Sequence, residues 1–152
     1  MEKPDELSVR EATREDVDLL AGFTLEEARE AEGRVLDPAL ARRAVEAAFS
    51  LQAAPRYWIA SRAAPVGSAS VTLEWSDWNA GHYWWLQSVY VVPEARGSGV
   101  VGRLVEEIVR AARAAGAVEL RLLVHGDNQR AIAAYRRDGF EPLPYQVMRR
   151  RL

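Results

Sequence analysis

Apolar positions recur along the chain first at the spacing of a helix, then at that of a strand, and after that at each in turn. A short first strand is predicted at residues 8–12, and Thr13 with Glu15 and Asp16 then supplies an N-cap followed by acids suited to the positive end of a helix. That helix runs from about Arg14 to Glu32 and stops at Gly33. Asp37 before Pro38 opens a second helix in the usual cap-then-proline order, carried by Ala41, Ala44, Val45 and Ala48 to about Phe49. From Arg56 the period becomes two. Residues 57–60 predict a strand, 64–67 a turn and 68–75 a second strand rich in β-branched residues, so the pair forms a hairpin. After a loop at 76–81, residues 83–92 are almost continuously apolar and aromatic, the pattern of a central strand buried on both faces.

Residues 99–115 return to helical spacing: Val101, Leu104, Val105, Ile108 and Ala112 make one apolar stripe, with Glu106 and Arg110 as an i,i+4 pair outside it. Gly116 stops the helix. A strand follows at 118–124, Asn128 caps a short helix ending at Gly139, and residues 145–150 predict a last strand. The order β, α, α, β, β, β, α, β, α, β contains neither a repeat nor a linker. It predicts one mixed α/β domain over residues 1–152.

Composition narrows the chemistry. With 49 % apolar and 28 % charged residues, the 152-residue chain can bury a core, and 22 acids against 20 bases leave no basic excess for binding nucleic acid. There is no cysteine, hence no disulfide, thiolate metal site or cysteine nucleophile, and the only histidines are His82 and His125. The polar start and the lack of a run of about 18 uncharged apolar residues predict a cytoplasmic protein with neither leader nor membrane span.

The densest signal is residues 91–102, where the central strand enters a helix through Gly97, Ser98, Gly99 and Gly102. The first turn of a helix offers unpaired N–H groups and about half a positive charge, and glycines let a phosphate approach the main chain. The expected ligand is a phosphate ester. The glycines literally spell G-x-G-x-x-G, but Pro93 to Arg96 intervene between strand and glycines, Asp127 lies too far on, and no second βαβ half remains for a dinucleotide fold. No Gly-Lys-Ser or Gly-Lys-Thr is present for a nucleotide P-loop. Alone, the segment is equally a glycine turn that starts a helix.

Two motifs in order alter this balance. Arg96-Gly-Ser-Gly99 after Val89-Tyr-Val-Val-Pro93, followed by Asn128-x-x-Ala131-x-x-x-Tyr135-x-x-x-Gly139-Phe140, resembles the GNAT superfamily of N-acetyltransferases. The resemblance implies a mixed central sheet of about six to seven strands flanked by about four helices, with acetyl-coenzyme A as cofactor. It implies that Gly97, Ser98, Gly99, Val100, Val101 and Gly102 offer N–H groups to the pyrophosphate while Arg96 positions the loop. Pantetheine would pair with the strand edge at Val89, Tyr90 and Val91, where central parallel strands splay, and Asn128 and Ala131 would complete the cofactor site. The chain departs from the family pattern at Val101, which stands where the last small residue of the loop belongs; turned inward, it would weaken binding. Homodimers are common in the family.

Acyl transfer from a thioester to an amine needs a neutral amine, a donor for the carbonyl oxygen and an acid for the departing thiolate. Tyr135 matches the family's tyrosine acid; its other reading is a packed helix tyrosine. Gln87 and Ser88 stand where some relatives carry a glutamate, which leaves Glu74, ahead of His82, as the candidate base. The acceptor pocket is expected from the first helices and the tryptophan-rich strands, with Glu27, Trp75 and Trp84 holding a cationic amine by charge and cation–π contacts. One of Trp84 and Trp85, on opposite faces of one strand, belongs to the core. These readings favour direct acetylation of a small-molecule amine; the competing class is a non-catalytic acyl-coenzyme A sensor on the same fold.

Overall fold

Five strands in the order β1-β2-β3-β4-β5 form one sheet in the computed structural model, which describes residues 6–50 and 55–152. The polar start, residues 1–5, lies outside the described residues. The strands are β1 (Ser8–Glu11), β2 (Arg56–Ser61), β3 (Pro65–Ser76), β4 (Gly81–Val91) and β5 (Glu119–Leu122). Neighbours pair antiparallel except β4 and β5, which run parallel over Tyr83–Leu86 and Glu119–Leu122. The helices are α1 (Val17–Glu32), α2 (Pro38–Ala48), α3 (Val100–Ala114) and α4 (Gln129–Arg137). The chain divides into two compact units, one ending at Leu122 and the other spanning Leu123–Leu152.

Local chemistry sets most boundaries in the first unit. The Asp37 carboxylate accepts from the Ala39 N–H at 3.0 Å with Pro38 behind it, and Gly33 closes α1 in the left-handed region at φ 63°. The predicted first helix divides: residues 14–16 form a single 3-10 turn before α1, with the Asp16 carboxylate accepting from the Thr13 N–H at 2.8 Å and pairing with Arg10. β3 begins at Pro65, so the predicted turn at 64–67 is tighter and lies earlier.

The two faces of the sheet are separable from register and packing. Val17, Leu20 and Ala21 of α1 and Val45 of α2 pack with Ile59, so these helices cover the face that carries Ile59, Ser68 and Tyr90 in one cross-strand row. Phe23 meets Tyr90 there at 5.2 Å between ring centroids. Ala60 and its partner Gly67 face the other way. A Cβ on Gly67 would meet the Tyr90 carbonyl at 2.7 Å and Val100 Cγ1 at 3.2 Å, which puts α3 on that opposite face and explains the glycine. Trp58, Ala69, Val71, Trp84 and Leu86 line the same face and are buried, as are Val100, Leu104, Val105, Ile108 and Ala112 of α3.

Three details of the sequence pattern are corrected. The buried stripe of α3 starts at Val100 instead of Val101, and Arg110 pairs with Glu107 at 3.0 Å instead of with Glu106. β4 is fully buried only at Trp84, Leu86, Tyr90 and Val91 instead of on both faces throughout. Five strands stand where six to seven were expected, because residues after Arg137, including 145–150, adopt neither helix nor strand. Pro142 and Pro144 remove ladder donors just before that segment and Arg149, Arg150 and Arg151 crowd like charge at its end, both unfavourable to a strand.

In the second unit, α4 is capped as its sequence predicts: Asn128 Oδ1 accepts from the Ala131 N–H at 3.1 Å, and Gly139 follows the helix at φ 90°. Among the described residues no helix is long and apolar enough to cross a membrane.

Candidate active site

A groove of about 370 Å³ in the first unit is lined by Glu27, Glu30, Ala31, Val89, Tyr90, Val91, Arg96 and Val101. Its floor is made by the way β4 changes partners. Ser70 pairs with Ser88 but Val71 pairs with Leu86, so Gln87 is an extra residue, a β-bulge, in β4. Pairing with β5 ends at Leu86, one residue before the bulge. Beyond it, Ser88–Val91 pair only with β3 and present the main chain on their other side to the groove. Val89, Tyr90 and Val91, expected at a splayed strand edge, are therefore brought together there.

On the other side the groove is lined by Arg96 and Val101, which flank the glycine loop into α3. Gly97 and Gly99 adopt φ 74° and 83°, the left-handed region that disfavours side chains. Gly99 is the N-cap of α3 and its carbonyl takes the first intrahelical bond, from Arg103 N at 3.1 Å. The N–H groups of Val100, Val101 and Gly102 thus precede the first helical hydrogen bond, as an anion site requires. Ser98 ties the loop back by donating to the Ala95 carbonyl at 2.7 Å. Arg96 donates from Nε to the Val91 carbonyl at 2.9 Å, pairs with Glu30, and lies over the Tyr90 ring at 5.9 Å. It is thereby fixed between the end of β4 and α1. Val100 is buried, so it offers a ligand backbone only, whereas Val101 lines the groove.

Glu27 is the acid that the structure brings to this groove. Its carboxylate accepts from the Ser88 hydroxyl. Burial pushes the Glu27 carboxyl above its ordinary value, against the opposing pull of the Ser88 hydroxyl and the nearby Val89 main chain. No cation pairs with it among the described residues. The sequence pointed to Glu27 for the acceptor pocket but gave no sign of its Ser88 partner, which is visible only once α1 is docked.

The other predicted acceptor-side residues separate. Glu74 lies opposite Tyr83 and accepts from the Trp85 indole Nε1 at 2.6 Å. It shares a face with Ser88, but four residues along β3 from Ser70, the Ser88 partner, which is about 13 Å of strand. It does not line the groove. Trp84 is 3 % exposed, packs on Trp58 at 6.1 Å and has the Arg56 guanidinium 4.9 Å from its ring, so it is a core residue instead of a pocket wall. Trp75 faces away from Glu74, exposed, with its indole bonded to Asp77 at 3.0 Å and its ring edge-on to His82. Trp85 and Tyr83 form the aromatic surface on the Glu74 side, with the Arg121 guanidinium 3.5 Å over Tyr83.

In the second unit Tyr135 is half-buried, edge-on to Phe140 at 5.5 Å, and burial, then Asp138, raises its hydroxyl above the ordinary phenol value. Asn128 uses its side-chain oxygen to cap α4, and the Ala131 N–H is the donor it satisfies. Among the described residues no cluster of His, Asp or Glu fit to hold a metal ion occurs.

A family model described as the acetyltransferase (GNAT) family matches residues 22–140. The chain belongs to that family. A crystal structure of a possible acetyltransferase from Clostridium difficile 630 superposes with a TM-score of 0.89 at 30 % identity, covering 96 % of this chain and 97 % of that one. An aminoglycoside N-acetyltransferase in complex with coenzyme A shares the fold, with a TM-score of 0.80 at 15 % identity over 96 % and 95 % of the chains. Among curated proteins, the thialysine N-epsilon-acetyltransferase of Bos taurus is 32 % identical over 78 residues, 51 % of this chain and 45 % of that protein. The matched stretch thus spans under half the length of that relative. The family's acyl donor is acetyl-coenzyme A, and the groove suits it: an N–H cluster for a pyrophosphate meets a strand edge for a pantetheine arm.

Proposed function

We propose that the protein is an N-acetyltransferase that passes the acetyl group of acetyl-coenzyme A directly to a primary amine of a small molecule. The carrying observation is the meeting, in one groove, of the glycine-led N-terminus of α3 and the side of Ser88–Val91 that β5 leaves open. Gly97, Ser98, Gly99 and the N–H groups of residues 100–102 hold the pyrophosphate, and Val89 to Val91 pair with the pantetheine. Tyr135 supplies the proton, or the hydrogen bond, that eases departure of the thiolate; a raised phenol value keeps it protonated at neutral pH. Asn128 and Ala131 act through the start of α4. The family match runs across both units, from 22 to 140, and supports one acetyltransferase domain. The test is release of the coenzyme A thiol on incubation with acetyl-coenzyme A and a panel of primary amines. Turnover with a small amine is expected, and its absence despite tight cofactor binding would reject the enzyme.

That last outcome belongs to the second reading, a non-catalytic acyl-coenzyme A sensor. It is favoured by one observation, that valine and not a small residue stands at position 101 in the lining of the groove.

A further inference from the structure

Consecutive side chains of a regular strand point to opposite faces, and at Gln87 and Ser88 they do not. Val71 and its partner Leu86 are buried on the α3 face of the sheet, so Ser70 and Thr72, one residue to either side of Val71, share the other face. Ser88 lies on that other face, since it pairs with Ser70 and bonds Glu27 of α1. Gln87 lies there too, because the Thr72 hydroxyl donates to its Oε1 at 3.4 Å. The bulge thus turns two neighbouring side chains to one face, the re-aiming that an extra residue permits. Ser88 uses its hydroxyl on Glu27. Gln87 is exposed, and its Nε2 has no hydrogen-bond partner among the described residues. An open amide donor therefore stands one residue past Leu86, the last residue of β4 that pairs with β5.

The order of residues along β4 says what this donor meets. On the acetyltransferase reading, on which this inference rests, the N-terminus of α3 holds the pyrophosphate, and Val91, Tyr90 and Val89 pair in turn with the pantetheine arm. The next residues back along the strand are Ser88 and Gln87, which therefore flank the acyl group. We infer that Gln87 donates from Nε2 to the acyl carbonyl oxygen, supplying the donor that acyl transfer requires. Thr72 is a positioning residue: by holding Oε1 it leaves the donor end of the amide to the ligand. A carboxamide suits the task, because it offers N–H donors without a charge and keeps its protons throughout. As the amine nitrogen bonds to the carbonyl carbon, an electron pair of the C=O bond moves onto oxygen, and the Gln87 hydrogen bond strengthens with that charge. The pair then re-forms the carbonyl while the carbon–sulfur bond breaks and its own pair leaves on sulfur. The nitrogen gives a proton to water and the sulfur takes one from it, so amine and acetyl-coenzyme A become amide and coenzyme A, with Gln87 unchanged.

Two measurements test this. The first needs no acceptor: isotope-edited infrared spectroscopy of acetyl-coenzyme A carrying ¹³C at the acetyl carbonyl, bound to the wild type, to Gln87→Leu and to Gln87→Met. Both substitutions fall at an exposed position, so both variants keep the fold. A donated hydrogen bond weakens the carbonyl bond, so its stretch is expected at lower frequency in the wild-type complex than in either variant complex. Thr72→Val is expected to recover part of that frequency difference, and Thr72→Ser, which keeps the hydroxyl, to match the wild type. The same frequency in the wild type and both Gln87 variants overturns the inference and leaves the function standing. No binding to the wild type overturns the function and the inference with it. The second measurement is turnover, in which both Gln87 variants lose about 10²- to 10³-fold in kcat while the cofactor Kd changes little. An unchanged kcat, or a loss that follows a weakened cofactor Kd, contradicts the assignment.

Discussion

The two halves of β4 are one continuous strand with opposite uses. From Tyr83 to Leu86 it is held by β3 on one side and β5 on the other, and its side chains make the differences: Trp84 fills the core while Trp85 bonds Glu74. After the extra residue Gln87 it keeps β3 only, and Val89, Tyr90 and Val91 line the groove proposed to take the cofactor. The lesson is that a binding strand is made by withdrawing a neighbour, and that the residues doing the binding need no distinctive side chains. Val89, Tyr90 and Val91 would pass as any core sequence. The residues that mark the proposed site in the sequence are the glycines of the loop that follows, at Gly97 and Gly99, where φ lies above zero.

The sharpest way to break this comparison is to damage each half separately. Trp84→Ala opens a cavity between Trp58 and Arg56 and lowers stability by about 3–5 kcal/mol, measured by denaturant unfolding, while a preparation that still folds keeps its cofactor affinity. Gly99→Val does the reverse. The left-handed position costs a side chain about 1–2 kcal/mol, and the loop relaxes away from its N–H cradle. Cofactor affinity is expected to fall about 100-fold, or roughly 2.7 kcal/mol, with the core intact. Next in size is Tyr135→Phe, expected to lower turnover about 10²-fold with unchanged cofactor affinity. Its sign in pH follows from burial. Because the hydroxyl titrates above the ordinary phenol value of 10.0, the wild type holds its proton through neutral pH and loses this contribution only as pH rises beyond that value. The smallest effect is expected from Val101→Ala, a few-fold gain in coenzyme A affinity read by titration, since a smaller residue at this lining position leaves more room for the ligand. A loss instead would mean that Val101 packs against the ligand.

What was legible in the sequence was whatever is decided within a few residues. The Asp37–Pro38 start of α2, the Gly33 and Gly99 positions and the Asn128 cap follow from local hydrogen bonds and backbone freedom, and all stand where predicted. The cofactor loop belongs to this group. The acceptor side does not, because its residues are placed by pairings made across the sheet. Nothing near Glu27 in the chain says that Ser88 will be its partner, 61 residues on. Trp84 and Trp85 were known to face opposite ways, but which one is buried depends on the side that α3 covers. The bulge at Gln87 reverses the parity of every later position in β4, and no turn residue announces it. Strand count failed for the same reason, since alternation at 145–150 is a property of the segment whereas a strand needs a ladder partner.

The central claim is that the groove between the N-terminus of α3 and the open side of β4 binds acetyl-coenzyme A through backbone groups. Thermal unfolding of the wild type and of Gly99→Val, each with a large excess of acetyl-coenzyme A, tests it most directly. A ligand at about 100 times its dissociation constant adds about 2.7 kcal/mol, a rise of roughly 5–10 °C in Tm for a chain of this size. The account predicts that rise in the wild type, and little or none in Gly99→Val at a similar ligand-free Tm. Equal rises in both proteins, or none in either, would contradict it.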